Sequence, residues 1–331
     1  MNKMKDSNKD IILDKLSMLY HIPITNIKKI GGFENTVYEL NDKKRDFIIR
    51  LTDSSHRSME MICAELDWIN YLHNHGVSIA RSVAFTNGKL VEIIKNADKI
   101  LYVTTFEKAE GGHLTEKEWN FDVVQKLGQT LGKMHYLSKH YQPTQQVQRP
   151  QWYDSEYIQE TIETLQESEE VLLNFKEVLD QLKELPRDKD SFGLIHADLH
   201  YGNFFINKNE IKVFDFDDSV YKWFIYDIAI ILFYSVWLPW IEKDKESIAK
   251  EFLEHFLYGY EQENHLDLFW FKNLNLFLKY KEIEFYTLLK EIEEDDLYGW
   301  EKEFMKNRKS LIEDNIPHLD IDFQKLVMER N

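Results

Sequence analysis

The sequence predicts an α+β protein in two lobes: a small antiparallel β lobe with one helix, residues 1–107, and a larger, mainly α-helical lobe, residues 108–331. Three observations predict it. Short apolar runs separated by turn signals crowd residues 36–106. From Phe121 onward apolar residues recur mostly at helical spacing. The change of texture coincides with Glu110-Gly111-Gly112, which places the boundary between Phe106 and Gly112. At 331 residues the chain is also long for one compact core.

Each element has its own signal. Ile11, Ile12, Leu16, Leu19 and Tyr20 give Asp10–Tyr20 an apolar helical face that ends before Pro23. Thr36–Leu40 and Phe47–Leu51 flank the charged turn NDKKRD and read as a hairpin. Met59–Asn74 carries Ile62, Leu66, Ile69 and Leu72 on one side of a helix. Asn87-Gly88 joins Ser82–Phe85 to Lys89–Ile94, the strongest two-residue hairpin cue. Asn96-Ala97-Asp98 then turns into a strand over Ile100–Phe106. Phe121–His140 is helical, with Val124, Leu127, Leu131 and Met134 in line. Tyr141–Gln151 is polar, holds two prolines and reads as a loop. Tyr157–Leu185 is helical again, short strands occupy the 190s to the 210s, and helices fill nearly everything from Tyr226.

Composition narrows the function classes. With 58 acidic and 41 basic residues the net charge is −17, a field that repels nucleic acid and anionic membrane. It serves solubility or attracts a cationic substrate. The single cysteine, Cys63, excludes an internal disulfide and points to a reducing compartment. Its neighbours Met61, Ile62 and Ala64 suggest a buried, inert thiol. The first ten residues lack the apolar core of a signal peptide. The most apolar stretch, residues 225–240, contains Asp227 and stops short of the ~18 residues of a membrane span. A cytoplasmic protein is expected, and the sequence leaves its oligomeric state open.

The chemistry concentrates in two short runs. HADLHYGN, His196–Asn203, holds Asp198 and, five positions on, Asn203. FDFDD, Phe214–Asp218, brings Asp215 twelve positions after Asn203. A carboxylate leaving a buried strand can orient a hydroxyl and accept its proton. An amide oxygen and a second carboxylate are hard donors suited to Mg2+. Base, amide and carboxylate together are the parts phosphoryl transfer from a nucleotide needs. Asn and Asp also favour turns, which accounts for each residue type but not for their joint order and spacing.

The first lobe supplies a complement. Gly31 and Gly32 open GGFENT ahead of a strand; the loop either lets backbone N–H groups approach phosphates or simply turns the chain. Arg50 in FIIRLT and Glu65 in the next helix form either a phosphate-clamping pair or a surface ion pair. His200 either touches the transferred phosphate or packs against its motif. The other histidines show no zinc-type spacing and are read as surface or core residues. The segment 267–298 is rich in aromatics and acids, either an acceptor pocket or amphipathic helices with solvated acidic faces. No substrate residue is assigned there.

GGFENTVYEL, FIIRLT, AELDWINYL, LGKMH, HADLHYGNFFI and VFDFDD followed by YDIA together resemble the aminoglycoside phosphotransferase and choline kinase-like family, relatives of protein kinases. The resemblance spans Gly31–Ala229. It implies a protein-kinase-like fold, with a nucleotide-binding first lobe and a catalytic, acceptor-binding second lobe. It implies Asp198 as catalytic base, Asn203 and Asp215 as Mg2+ ligands, and Asp227 as a buttress of the catalytic loop. Arg50, positioned by Glu65, would hold the phosphates of ATP or GTP. Thr105–Lys108, with Phe106 and Lys108, would be the hinge whose backbone reads the base.

Departures sharpen the class. Arg50 stands where protein kinases have lysine, yet keeps charge and can fork onto phosphate. Ala197 replaces the arginine of H-R-D, and Asp217 the glycine of D-F-G; Asp217 is a further contact or a turn residue. No A-P-E segment follows before Tyr226. The expected protein is a small-molecule kinase moving the γ-phosphate of ATP or GTP, with Mg2+, to a small hydroxylated acceptor, either cationic or neutral. Aminoglycoside, choline, ethanolamine, homoserine and other acceptors stay open. The alternatives are a bacterial Ser/Thr protein kinase of the same fold and a nucleotide-binding module without catalysis.

Overall fold

The architecture comes from a computed structural model, which describes residues 2–32, 34–41, 46–96, 99–144, 146, 148–154, 156–240 and 244–330. The chain divides into two compact units: Met1–Glu110 with Tyr141–Arg149, and Gly111–His140 with Pro150–Asn331.

In the first unit α1 (Asn2–Tyr20) leads into β1 (Ile27–Gly31), β2 (Thr36–Asn41) and β3 (Asp46–Asp53). α2 (Met59–Asn74) follows, then β4 (Val91–Asn96) and β5 (Lys99–Glu107). The strands form one antiparallel sheet in the order β1-β2-β3-β5-β4. Side chains alternate across a strand, so β3 serves two faces. Ile49 and Leu51 join Leu16 of α1, Tyr38, Leu40 and Val103 in a core with little or no exposure. Arg50, on the opposite face, meets Glu65 of α2. The sheet therefore carries α1 as well as the one helix expected of it. Ser58 caps α2 by accepting from Met61 N, and Ile62, Leu66, Ile69 and Leu72 are buried as their spacing predicts.

One hairpin differs from expectation. The Asn87-Gly88 turn does close, with Phe85 N–H donating to Lys89 O at 2.8 Å. Its first arm does not pair with β4. Ser82 bridges Phe106, and Val83 N–H donates to Thr105 O. The β4–β5 ladder stops at Val91↔Thr104, so the end of β5 needs a partner on that edge, and residues 81–83 provide it. The loop Tyr141–Arg149 is tied to α2 through Asp67, which accepts from Tyr141 Oη at 2.6 Å and Thr144 N at 3.0 Å. Cys63 is half-buried rather than buried, its thiol pushed up by burial and by Glu60. The turns at 42–45 and 97–98 lie outside the described residues.

The second unit begins with α3 (Phe121–Ser138), α4 (Glu156–Thr164) and α5 (Glu169–Lys183). Tyr157–Leu185 is helical as expected, but not as one helix: buried Ile158 and Leu165 are seven positions apart and Val171, Phe175 and Leu182 keep helical spacing, whereas Leu165 and Val171 are six apart, which turns the apolar face. The chain breaks at Leu165–Ser168, where a tight turn hands over to Ser168 in extended φ (−130°) as the cap of α5. Serine favours that position.

Four short strands follow: β6 (Phe192–Ile195), β7 (Phe204–Asn207), β8 (Glu210–Val213) and β9 (Val220–Trp223). β7 and β8 form a hairpin whose turn residues Lys208 and Asn209 both have positive φ. β9, which the sequence does not announce because it runs directly into a helix, pairs antiparallel with β6.

The rest is α6 (Phe224–Ser235), α7 (Lys245–Tyr260), α8 (Leu268–Lys272), α9 (Leu274–Lys290), α10 (Gly299–Met305), α11 (Arg308–Glu313) and α12 (Phe323–Glu329). α6 is buried along its whole length. No described helix is long and apolar enough to cross a membrane. The acidic tail does not have a uniformly solvated face. Glu291, Glu293, Glu294, Asp295 and Asp296 are exposed, but Glu282 is fully buried. It meets Arg308 at 2.5 Å, His318 at 3.4 Å and Lys279 at 3.4 Å. A buried carboxylate needs such partners to stay charged.

Candidate active site

The second unit assembles the two acidic runs around one buried carboxylate. As β6 ends, the chain turns at Ala197, whose φ is +66°. Such a backbone costs a non-glycine residue roughly 1–2 kcal/mol. Asp227, on α6 and without solvent exposure, holds it there. Its carboxylate accepts from Ala197 N at 2.7 Å and His196 N at 3.1 Å. It also accepts from His135 Nε2 at 3.1 Å, while His135 Nδ1 accepts from Tyr260 Oη at 2.9 Å. Asn264 in turn donates to Tyr260 Oη at 2.8 Å. Burial pushes the His135 imidazole down, against the pull of Asp227. His135 is thus a core histidine with a specific load, and LGKMH is the only signal of it in the sequence.

His196 joins the two runs. It is fully buried, and burial favours its neutral form. Its Nε2–H donates to Phe214 O at 3.2 Å, and its Nδ1 faces Asp198 N at 3.3 Å, which fixes one neutral tautomer. Phe214 N–H donates to Asn203 O at 3.0 Å just beyond the Phe204↔Val213 pair. Asn203 and Asp215 therefore stand at the same end of the β7–β8 hairpin.

Asn203 Nδ2 donates to Asp198 O and to Asp198 Oδ2, both at 2.9 Å. With the amide nitrogen so placed, Oδ1 is the atom Asn203 can offer a cation. Asp215 is exposed, with φ +65° aiming the chain out of the strand. An amide oxygen and a carboxylate are hard donors that fit Mg2+ or Ca2+. Asp217 is buried in a turn closed by Ser219 N donating to Phe216 O at 3.0 Å.

His200 packs on the motif. Its Nδ1 accepts from Gly202 N at 3.0 Å, and its Nε2 lies 3.5 Å from Asp198 Oδ2. A Cβ at Gly202 would meet the His200 ring at 2.6 Å, so a larger residue would push that ring aside. Burial works to raise the Asp198 carboxyl; the charge and hydrogen bond of His200 and the charge of Lys281 outweigh it and hold the group below the ordinary carboxylate range.

Sequence reading missed a set of groups beside this loop. Lys281 and Glu284 lie one turn apart on α9. Tyr226 Oη donates to Glu284 Oε2 at 2.5 Å. Lys222 of β9 is buried, its Nζ lying 3.5 Å from the Tyr226 ring centroid and 3.7 Å from that of Tyr280. Only aromatics and acids at helical spacing hinted at this cluster, and Lys222 carried no signal.

Burial pushes the Lys222 ammonium down to about 7, with Glu284 pulling the other way. In the unfolded chain lysine titrates near ~10.4. Between these values the unfolded chain binds the extra proton, so this lysine's destabilisation grows as pH falls and is complete below the folded value. Lys222→Met should therefore raise the melting temperature more at about pH 6.5 than at about pH 9.5. Equal gains at both, read by scanning calorimetry, would contradict the assignment.

The first unit brings together a different group. Arg50 is buried and forks onto Glu65, Nη1 to Oε1 at 2.8 Å and Nη2 to Oε2 at 2.5 Å. It is a fixed interior pair, not a surface one. The guanidinium also lies 5.2 Å from the Phe106 ring centroid. Gly32 has φ +113°, and a Cβ there would overlap Asn35 O at 1.8 Å, so the loop depends on glycine at that position. A Cβ at Gly31 would meet nothing within 4 Å. Thr105 O and Glu107 N–H are already paired with Val83 and Arg81 inside the sheet. The Lys108 ammonium bonds Glu39 and lies 3.6 Å from Asp46. Within Thr105–Lys108, backbone groups for reading a base are thus reduced toward Lys108.

The profile of the phosphotransferase enzyme family matches residues 26–266. The chain is 31% identical over 336 residues to amicoumacin kinase of Bacillus subtilis (strain 168), covering 98% of this chain and 100% of that one. Its structure is similar to that of an amicoumacin kinase in complex with AMP-PNP, Ca2+ and Ami, at a TM-score of 0.90 and 37% identity over 98% of this chain and 100% of the other. It also shares the fold of a microcompartment-associated aminopropanol kinase, at a TM-score of 0.75 and 20% identity over 96% of this chain and 99% of the other.

Proposed function

This chain belongs to the phosphotransferase enzyme family, and from that membership we propose that it transfers the γ-phosphoryl group of ATP, with Mg2+, to a hydroxyl of amicoumacin or a closely similar cationic small molecule. Two relatives support the acceptor, one at 31% and one at 37% identity, each matched over essentially its full length. The net charge of −17 favours a cationic acceptor.

The observation that carries the chemistry is the fixed Asp198 carboxylate. Asn203 Nδ2 donates to one of its oxygens, and the loop that presents it is held by Asp227. In this reading Asp198 orients the acceptor hydroxyl and takes its proton as the new O–P bond forms. Asn203 and Asp215 would hold Mg2+, which when bound neutralises charge on the phosphates. Arg50, kept in place by Glu65, holds the nucleotide's phosphates, and the backbone at Gly31 and Gly32 approaches them. The stretch from Phe106 through Lys108 faces the base. The first unit is then the nucleotide-binding lobe and the second the catalytic, acceptor-binding one.

A coupled ADP-release screen tests the proposal. Amicoumacin, aminopropanol, choline, ethanolamine, homoserine, aminoglycosides and protein acceptors are each offered with ATP or GTP and Mg2+. Turnover with amicoumacin and ATP, well above that with protein acceptors, is expected. Turnover confined to protein acceptors, or none, would refute it.

A further inference from the structure

Transfer of a phosphoryl group past a carboxylate base brings negative charge to negative charge, and a fixed cation at that place lowers the barrier. The two motif runs do not contain one. Residues 196–203 and 214–218 hold Asp198, Asp215, Asp217 and Asp218 but no lysine or arginine. The fold brings a cation from elsewhere to the side chains that flank Asp198. α6 and α9 pack together, and the Lys281 ammonium on α9 lies 5.5 Å from the ring of Tyr234 on α6. The Tyr234 ring lies 4.7 Å from that of His200, whose Nε2 is 3.5 Å from Asp198 Oδ2. The charges of Asp198, Glu284 and Asp218 favour its protonated form. Lys281, Tyr234 and His200 thus form one chain of neighbours that ends at Asp198. Nearby Lys222 lies on the faces of Tyr226 and Tyr280 instead.

Resting on the function proposed above, we propose that Lys281 is a further catalytic residue, whose ammonium meets the phosphoryl group beside Asp198 as it passes to the acceptor oxygen. In that step the acceptor oxygen forms its bond to phosphorus. The bond from phosphorus to the bridging oxygen breaks, and ADP leaves with the electron pair. The hydroxyl proton goes to Asp198. Lys281 neither gains nor loses a proton; it donates hydrogen bonds to oxygens whose charge shifts during transfer. The competing account is that Lys281 only neutralises acids of the acceptor site. It would then affect acceptor binding and stability, and not the turnover number.

The experiment compares wild type, Lys281→Met and Lys281→Arg, with Asp198→Asn as reference. The readouts are kcat and KM for ATP and amicoumacin, ATP hydrolysis without acceptor, ATP affinity and melting temperature. Lys281→Met is expected to lower kcat about 100-fold with KM for ATP nearly unchanged. Lys281→Arg should recover about tenfold of that loss, because it restores the charge with a different shape. Hydrolysis without acceptor should fall in parallel, a readout that does not depend on amicoumacin being the acceptor. A kcat within about threefold of wild type, with only acceptor KM or melting temperature altered, would overturn the proposal and leave the proposed function standing. If Lys281→Met does not fold, a folded Lys281→Arg with wild-type kcat and no other consequence than a changed acceptor KM would overturn it as well. A wild type inert in both transfer and hydrolysis would overturn both.

Discussion

Asp198→Asn is expected to reduce transfer by about 10²–10⁴-fold, the usual contribution of a positioned general base. The substitution is nearly isosteric. Its amide oxygen can still accept from Asn203 Nδ2, so the loop should keep its shape. The Arg50–Glu65 pair, proposed to hold the phosphates, lies in the other unit and is untouched. Nucleotide affinity, measured by calorimetry with Mg2+, should therefore stay within a few-fold of wild type while kcat collapses. Full turnover in the variant would remove Asp198 from the mechanism. A parallel collapse in nucleotide affinity would assign it to binding instead.

Asp227→Ala should have the largest effect on the scaffold. It leaves His196 N–H, Ala197 N–H and His135 Nε2–H without their acceptor in a site with no solvent exposure. Each buried donor left without an acceptor costs about 1–3 kcal/mol. The positive φ of Ala197 also loses the contact that maintains it. Stability in urea should fall by that amount, and turnover should fall even at temperatures where the variant is folded, because Asp198 follows directly from the released turn. Asp227→Asn keeps an acceptor oxygen and should lie between. A fully stable, fully active Asp227→Ala protein would show that the turn holds itself.

These two residues mark what could be seen in advance. Asp198, Asn203 and Asp215 were legible because their order and spacing sit in one local strand-turn-strand segment. Their neighbourhood follows from a hairpin whose pairing the sequence announces. The sheet, α2 and α3 were legible for the same reason: alternation and helical spacing are local signals. The break between α4 and α5 was not, since only a six-residue step from Leu165 to Val171 marks it and neither proline nor glycine stands there. β9 was not, because no turn separates it from α6.

The site's outer parts were hidden for a different reason. His135, Lys222, Lys281 and Glu284 come from α3, β9 and α9, and nothing in linear spacing says that these side chains all meet α6. Glu282 and Glu284 illustrate it, being two positions apart on one helix. One is buried against Arg308 and His318, the other accepts from Tyr226, and no composition rule separates them from the exposed acids that follow. The Arg50–Glu65 pair lay between these cases: both residues were marked, but their burial came only from the sheet's opposite face.

The most direct test of the account follows the phosphoryl group itself. Purified protein is incubated with ATP, Mg2+ and amicoumacin, and the products are separated and examined by mass spectrometry and phosphorus NMR. The account predicts ADP together with a singly phosphorylated amicoumacin whose phosphorus is bonded to a hydroxyl oxygen as a monoester, and no such product with Asp198→Asn. Phosphorus on an amine, label retained on the protein, or unmodified amicoumacin after full incubation would contradict it.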